Sequence, residues 1–114
     1  MRHLRRLSLL LLLSLTACTD VETQLAQVKP GLSKSEVQDL LGEPEQAYVS
    51  MLPEGYFFGP QEGLADLISP GERYEEWIYH IGEDDFYVWF AGDGYSMDSW
   101  TVIRTARYPR DAVW

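Results

Sequence analysis

Cysteine and histidine are scarce in this sequence. Cys18 is the single cysteine, so the domain must be held together by packing rather than by an internal disulfide. His3 and His80 are the two histidines, too few for a zinc site built from three or four nitrogen and sulfur ligands. No Gly-x-Ser-x-Gly motif, phosphate-binding glycine loop or calcium-loop pattern accompanies His80. We therefore expect no enzyme activity, no metal and no other cofactor.

Basic residues are half as numerous as acidic ones. The chain has 9 Lys and Arg against 18 Asp and Glu, a net charge of −9. Arg2, Arg5 and Arg6 belong to the extreme N-terminus, so residues 18–114 retain 6 basic residues and a net charge of −12. A field of this sign repels nucleic-acid phosphates and anionic lipid head groups. We expect no nucleic-acid partner, and any membrane attachment must use something other than a basic patch.

Hydrophobic runs long enough to cross a membrane are also lacking. The leucine-rich run at 7–15 falls well short of the about 20 residues that a transmembrane helix needs. Its basic start, short apolar middle and small-residue end are typical of a cleaved secretory signal. The following Leu-Thr-Ala-Cys at 15–18 resembles a lipobox, whose cysteine receives a diacylglycerol thioether and becomes the new N-terminus. The alternative is an ordinary signal with an incidental cysteine, but the position of Cys18 favours a lipoprotein with a signal peptide at 1–17.

The residue after the cysteine bears on which membrane holds the protein. In enteric bacteria an Asp at this position retains a lipoprotein in the inner membrane, and here the residue is Thr19. Several acyl chains on one cysteine anchor a protein firmly, whereas a single chain binds weakly. We therefore expect a lipid-anchored protein of the outer membrane whose domain faces the periplasm.

A capped helix is the clearest local signal in the chain. Ser33 and Glu36 have the spacing of a capping box, in which each side chain accepts the backbone N–H of the other residue. Gly42 suits a left-handed helix terminus, and Pro44 prevents continuation. This pattern predicts a helix over 34–41.

The preceding segment, 18–29, leaves two interpretations open. Asp20 is able to cap a short helix in which Val21, Leu25 and Val28 share one face. The alternative is a flexible tether between the lipid and the domain.

Strand patterns fill the second half of the chain. Alternating apolar residues and turn residues predict strands at 47–51, 74–81, 86–91 and 97–104, with turns at 82–85 and 92–94. The intervening 52–73 segment is rich in Pro, Gly and acidic residues and reads as a long loop with a helical turn at 62–68. Two short helices and a three- to four-stranded antiparallel sheet predict a two-layer α+β domain over 30–108, followed by a tail at 109–114.

The alternation of the strands divides their side chains between two faces. Phe86, Val88 and Phe90 are expected to face the helices, which sends Tyr87 and Trp89 to the opposite face. Tyr74 and Ile78 of the neighbouring strand join them there. If this face is open, these four residues form a partner-binding patch, because Trp and Tyr are enriched at interface hot spots. The alternative is that the 52–73 loop and the C-terminal residues 108–114 fold over it.

Three sequence segments resemble the SmpA/OmlA (BamE-like) lipoprotein family. They are Lys-Pro-Gly-Leu-Ser-Lys-Ser-Glu-Val-Gln-Asp-Leu-Leu-Gly-Glu-Pro at 29–44, Trp-Ile-Tyr at 77–79 and Val-Trp-Phe-Ala-Gly-Asp-Gly at 88–94. The positions that carry the resemblance are Gly31, Ser33, Glu36, Val37, Leu41, Gly42, Pro44, Trp77, Tyr79 and Phe90. The resemblance extends from 29 to about 104, and β-lactamase-inhibitor-like lipoproteins share the same layout.

The resemblance implies a non-catalytic outer-membrane lipoprotein that acts by protein–protein binding. Its partners would be subunits of the β-barrel assembly machinery or another envelope protein, and its role would be to support outer-membrane protein assembly or envelope integrity. The alternative is an envelope inhibitor or ligand-binding lipoprotein on the same fold.

Overall fold

A computed structural model describes residues 20–93 and 96–114, so the predictions for residues 1–17 and Cys18 lie outside the described residues. The helices are α1, Val21–Ala26, and α2, Lys34–Leu41, with 3₁₀ helices at Pro60–Asp66 and Met97–Ser99. The strands are β1, Gln46–Met51; β2, Arg73–Ile81; β3, Asp84–Ala91; and β4, Thr101–Pro109. Across the described residues these strands form one antiparallel sheet in the order β1-β2-β3-β4. The predicted α+β class is confirmed.

The segment before Lys29-Pro30-Gly31 forms a short helix over 21–26 rather than a tether. The Asp20 carboxylate accepts the backbone N–H of Glu22 at 3.3 Å and so caps α1. Leu25 and Val28 are buried against the sheet, but Val21 is exposed. Two residues of the expected apolar stripe therefore pack, and the third does not.

Helix α2 begins as its capping pattern predicts. The Ser33 hydroxyl accepts the Glu36 N–H at 3.2 Å, and the Glu36 carboxylate accepts the Ser33 N–H at 3.1 Å. Val37, in the next helical position, is fully buried. The capping box thus fixes where the helix starts, and the buried valine attaches it to the sheet.

The end of α2 differs in detail from the expected left-handed terminus. Gly42 has a φ of 80° but a ψ of −165°, a region that glycine alone adopts readily. The Tyr79 phenol donates a hydrogen bond to the Gly42 carbonyl at 2.8 Å, which ties β2 to the end of the helix. Burial, with the nearby charges of Glu43 and Glu45, raises the pKa of Tyr79, so this phenol remains a donor at physiological pH.

Replacing Gly42 by Val is expected to lower the free energy of unfolding by about 1–2 kcal/mol, because an L side chain is strained at this φ and ψ. A Cβ at this position would meet no atom within 4 Å, so the cost comes from the backbone and not from a clash. Gly42→Ala should therefore cost nearly as much as Gly42→Val in a urea melt. A Gly42→Val midpoint equal to that of the parent would refute the argument.

One hydrophobic core lies between the helices and the sheet. Trp77 and Tyr79 of β2 face it, on the side opposite to the one that the alternation gives to Ile78. The ring centroids of Trp77 and Phe90 lie 4.6 Å apart in an edge-on arrangement. The buried members of this cluster are Leu25, Val28, Val37, Trp77, Tyr79, Phe86, Val88, Phe90, Trp100 and Val102. The side that the strand alternation assigned to the helices is thus the side that they cover.

Strands β1 and β2 begin one residue before their predicted starts, and β3 and β4 differ from the predictions by two residues or more. Strand β3 begins at Asp84 because Gly82 and Glu83 alone make the turn, with Gly82 at a φ of 59° as the first position of a type II′ turn requires. The last strand was predicted at 97–104, but residues 97–99 form a 3₁₀ turn and β4 runs on to Pro109. Strand β4 extends this far because its residues pair with β3 up to the pair Asp84 and Pro109.

Candidate partner-binding surface

The predicted aromatic patch lies on one face of the sheet, but that face is not open. Trp89 is fully buried, and Tyr74 and Ile78 are 5% and 6% exposed. Leu52 and Leu64, from the 52–73 segment, pack in the same cluster as Tyr74 and Trp89. Of the two alternatives for this face, the open patch is wrong, and the structure shows the other, a loop folded over the face.

The C-terminal residues cover the other half of the same face. Tyr87 is only partly exposed. Its ring stacks on that of Trp89, with the centroids 5.4 Å apart, and lies edge-on to that of Tyr108, with the centroids 6.1 Å apart. Tyr108 in turn meets Trp114 at 4.7 Å. This row of aromatic rings joins the last residues of the chain to the sheet and leaves Trp89 no access to a partner.

Two neighbouring carboxylates of β2 serve opposite faces. Glu75 faces the helices, pairs with the Lys34 ammonium and accepts the Trp77 indole N–H at 2.5 Å. Glu76 faces the loop and accepts the Trp89 indole N–H at 2.8 Å. Adjacent residues of a strand point apart, so the two carboxylates cannot act as a catalytic pair.

The environment of Glu76 makes its ionisation unfavourable. Burial raises the pKa of Glu76, and the hydrogen bond from Trp89 offsets only part of that shift. The folded protein therefore holds this proton more tightly than the unfolded chain, whose glutamate titrates near the ordinary value of 4.5. The contribution of Glu76 to stability is highest below that pH and declines as the pH rises through the folded-state pKa.

Glu76→Gln should remove this decline, because the amide oxygen still accepts the Trp89 indole N–H but carries no charge. We expect the stability of the variant, relative to the parent, to rise between pH 4.5 and neutrality. Urea melts of both proteins across this range measure the difference. A difference that stays constant with pH would show that Glu76 ionises freely in the folded protein.

Five large apolar side chains that are exposed to solvent belong to β1 and the loop after it. Tyr48 and Val49 are each 50% exposed and Met51 is 55% exposed, although all three belong to a sheet strand. Tyr56 and Phe58, a few residues further on, are exposed to 102% and 78%. We call the surface formed by β1 the β1 edge.

The backbone of β1 also offers unused hydrogen-bonding groups. The Leu52 N–H donates to the Glu72 carbonyl at 2.9 Å, and β1 and β2 pair in the register Ser50↔Tyr74. Along an antiparallel strand, residues whose backbone N–H and C=O groups bond to the neighbouring strand alternate with residues whose groups point away from it. The N–H and C=O groups of Ala47, Val49 and Met51 therefore point away from β2, and no described residue pairs with them.

The opposite edge of the sheet is protected in ways that β1 lacks. The Gly31 N–H donates to the Val102 carbonyl, and the Val102 N–H donates to the Leu32 carbonyl, both at 2.8 Å, so the start of β4 is covered. A register irregularity interrupts the β3–β4 pairing near Trp89, and β4 ends at Pro109. Bulges, prolines and coverage keep edge strands from pairing with other chains. Strand β1 has no proline, no charged residue and no covering segment among the described residues.

Acidic residues flank β1 at both ends. Glu43 and Glu45 precede the strand, Glu54 follows it, and all three are exposed. The strand itself is uncharged. The β1 edge therefore combines an uncharged, partly apolar centre with negative ends.

This surface was missed at the level of the sequence. A strand at 47–51 was predicted, but its place at the sheet edge depends on the order of the strands, which the alternation does not give. A six-residue strand without Lys, Pro or any charge, in a chain of net charge −9, was the available signal.

His80 has a structural place in the β2–β3 hairpin. Its Nδ1 lies 2.7 Å from an Asp85 carboxylate oxygen that also accepts the Arg110 Nε–H at 2.9 Å. Burial alone would raise the pKa of Asp85, but the hydrogen bonds from Arg110 and His80 outweigh it and hold that pKa below the ordinary value. The three residues tie the hairpin to the chain after β4.

Residues 20–93 and 96–114 contain neither a cluster of metal ligands nor a membrane-spanning helix. Within those ranges no group of three or more His, Cys, Asp or Glu residues is arranged to hold a metal ion. No helix there is long and apolar enough to cross a membrane.

No protein-family model, curated protein or solved structure matches this chain. The fold and the exposed surface of residues 20–93 and 96–114 define a two-layer α+β domain in which no described residue covers the β1 edge. Any functional proposal must therefore rest on its own residues.

Proposed function

We propose that this chain is a non-catalytic outer-membrane lipoprotein, similar to the SmpA/OmlA (BamE-like) proteins, that is anchored through Cys18. It supports outer-membrane protein assembly or envelope integrity by binding another protein at the β1 edge. The observation that carries the proposal is the exposure of β1. Its apolar side chains are about half exposed and its outward backbone groups have no partner among the described residues, whereas the opposite sheet edge is protected. An unprotected edge strand is a template for pairing with another chain.

The lipid anchor provides the membrane attachment that the negative charge of the domain opposes. Residues 18–114 carry a net charge of −12, which opposes binding to anionic head groups. A single residue, Thr19, separates Cys18 from the Asp20 cap of α1. A lipidated Cys18 therefore holds the folded domain close to the bilayer surface, where envelope assembly takes place.

Replacing Cys18 by Ser is expected to abolish lipid attachment, because the thiolate is the acyl acceptor and the chain has no other cysteine. Cells fed a radioactive fatty acid should label the parent protein and leave the variant unlabelled. The variant should also leave the outer-membrane fraction. Incorporation of label into the Cys18→Ser protein would contradict the proposed anchor.

The binding part of the proposal is tested by affinity purification from detergent-solubilised envelopes. Co-purification of β-barrel assembly subunits, lost in a Tyr48→Lys variant that folds normally, is the expected result. Capture of a soluble hydrolase instead would favour an envelope inhibitor on the same fold.

A further inference from the structure

We propose that the β1 edge binds an extended segment of its partner as a fifth strand of the sheet, and that this segment has an uncharged centre flanked by Lys or Arg. The inference rests on the proposed function and names the kind of segment that the surface accepts. It is carried by the outward backbone groups of β1, the exposure of both of its faces and the charges at its two ends.

The backbone groups set the mode of binding. Ala47, Val49 and Met51 present their N–H and C=O groups to the position that a fifth strand would occupy. A strand added there lies about 4.8 Å from β1 and gains main-chain hydrogen bonds without regard to its sequence. This mode suits a partner segment that is unfolded or extended before it binds.

The side chains of β1 set the centre of the segment. Val49 and Met51 project on the helix side of the sheet, whereas Tyr48 projects on the loop side, opposite Glu76 in the register. Each is about half exposed, so a neighbouring strand buries apolar surface on both faces. A centre of uncharged β-branched residues fits this surface, because cross-strand pairs of such residues stabilise a sheet.

The flanking charges select the ends of the segment. Glu43 and Glu45 lie before β1 and Glu54 lies after it, so either strand direction brings the ends of an added segment near carboxylates. Lys or Arg at those ends is attracted, and Asp or Glu is repelled.

The same charges disfavour a second copy of this chain as the occupant. Antiparallel self-pairing centred on Val49 would place Glu54 of one copy opposite Pro44 of the other, between Glu43 and Glu45. This like-charge contact would occur at both ends of the paired strands. Juxtaposed like charges destabilise pairing, so the flanks act against self-association and in favour of a cationic partner.

Two synthetic peptides test the proposal on the full lipidated chain in detergent. One has the sequence Lys-Lys-Val-Thr-Val-Thr-Val-Lys-Lys, and its acidic twin has Glu in place of each Lys. Fluorescence anisotropy should show at least about tenfold tighter binding of the basic peptide at low salt, with the difference shrinking as salt is added. Hydrogen exchange should show new protection of the Ala47, Val49 and Met51 amides when the basic peptide is bound.

Two variants of Val49 distinguish binding through backbone hydrogen bonds from non-specific attachment to the surface. Val49→Pro removes one outward N–H, and proline is tolerated at an edge position whose N–H faces solvent. Val49→Thr keeps the N–H and the β-branched shape. We expect Val49→Pro to weaken binding of the basic peptide by about tenfold, because one hydrogen bond is lost and a neighbouring one is distorted. Val49→Thr should change the affinity by less than about twofold.

A charge reversal tests the ends without relying on the proline variant. In the Glu45→Lys, Glu54→Lys double variant the preference should reverse, so that the acidic peptide binds more tightly. The proposal is overturned if both peptides bind equally, if neither binds below about 1 mM, or if the protected amides lie in β4. Protection of the β1 amides in the absence of peptide, together with a dimer in light scattering, would overturn it in favour of a second copy.

The outcomes also separate this inference from the proposed function. Capture of an envelope partner that depends on Tyr48, without preference for the basic peptide, would remove the cationic segment and leave the lipoprotein proposal standing. If a chain that takes no fatty-acid label binds the basic peptide preferentially, the lipoprotein proposal fails and the inference of a cationic segment remains.

Discussion

Trp89→Ala is expected to lower the free energy of unfolding by about 3–5 kcal/mol, one of the largest effects of any single truncation in this domain. The Trp89 side chain is fully buried among Tyr74, Leu52 and Leu64, so the change opens a cavity between the sheet and the 52–73 loop. It also removes the indole N–H that Glu76 accepts, leaving a half-buried carboxylate without that donor.

Trp114→Ala is the matched control for this experiment. Trp114 is also a tryptophan on the same face, but it is 52% exposed and contacts the edge of Tyr108. We expect its truncation to cost less than about 1 kcal/mol in the same urea melt. A Trp89→Ala protein as stable as the parent would contradict the buried position and restore the open aromatic face as a candidate interface.

Leu64→Ala is expected to cost about 2–5 kcal/mol, although the residue lies in a segment that reads as a loop. Leu64 is fully buried and belongs to the 3₁₀ helix Pro60–Asp66, which presses it into the cluster around Trp89. The 52–73 loop therefore forms one side of a small second core, and it covers the face of the sheet opposite α1 and α2.

Leu67→Ala provides the comparison, because Leu67 follows the same 3₁₀ helix and is 50% exposed. Its truncation should leave the urea midpoint almost unchanged. The Leu64→Ala variant should also be cleaved faster within 52–73 by a protease, since an undocked loop is accessible. Equal stability and equal cleavage of the two variants would show that the loop does not contribute to the core.

The parts of the fold that follow from local chemistry were predictable. The Ser33–Glu36 capping box and Gly42 determine the bounds of α2 within the segment itself, and the structure has this helix over Lys34–Leu41 as predicted. The strand alternation separated Trp77 from Trp89 correctly, because successive side chains of a strand point to opposite faces.

The parts that depend on long-range packing were not predictable. Alternation gives the face on which Trp89 lies, but it says nothing about what covers that face, so the open patch and the docked loop both remained possible from the sequence. The end of β4 was missed because pairing with β3 as far as Asp84 extends the strand through Arg107 to Pro109, and neither of these two residues favours a strand by itself. The β1 edge was missed for the same reason, since a strand becomes an edge only through the order of the whole sheet.

Site-specific photo-cross-linking in intact cells tests the central claim, that the β1 edge binds an envelope protein, most directly. A photoreactive phenylalanine analogue replaces Tyr48 on the β1 edge in one strain and Trp114 in another, two aromatic residues of nearly equal exposure, 50% and 52%. We expect a cross-link from position 48 to an envelope protein, and we expect this cross-link to be absent from position 114 and lost when Val49→Pro is added. Cross-links from position 114 alone, or from both positions alike, would contradict it.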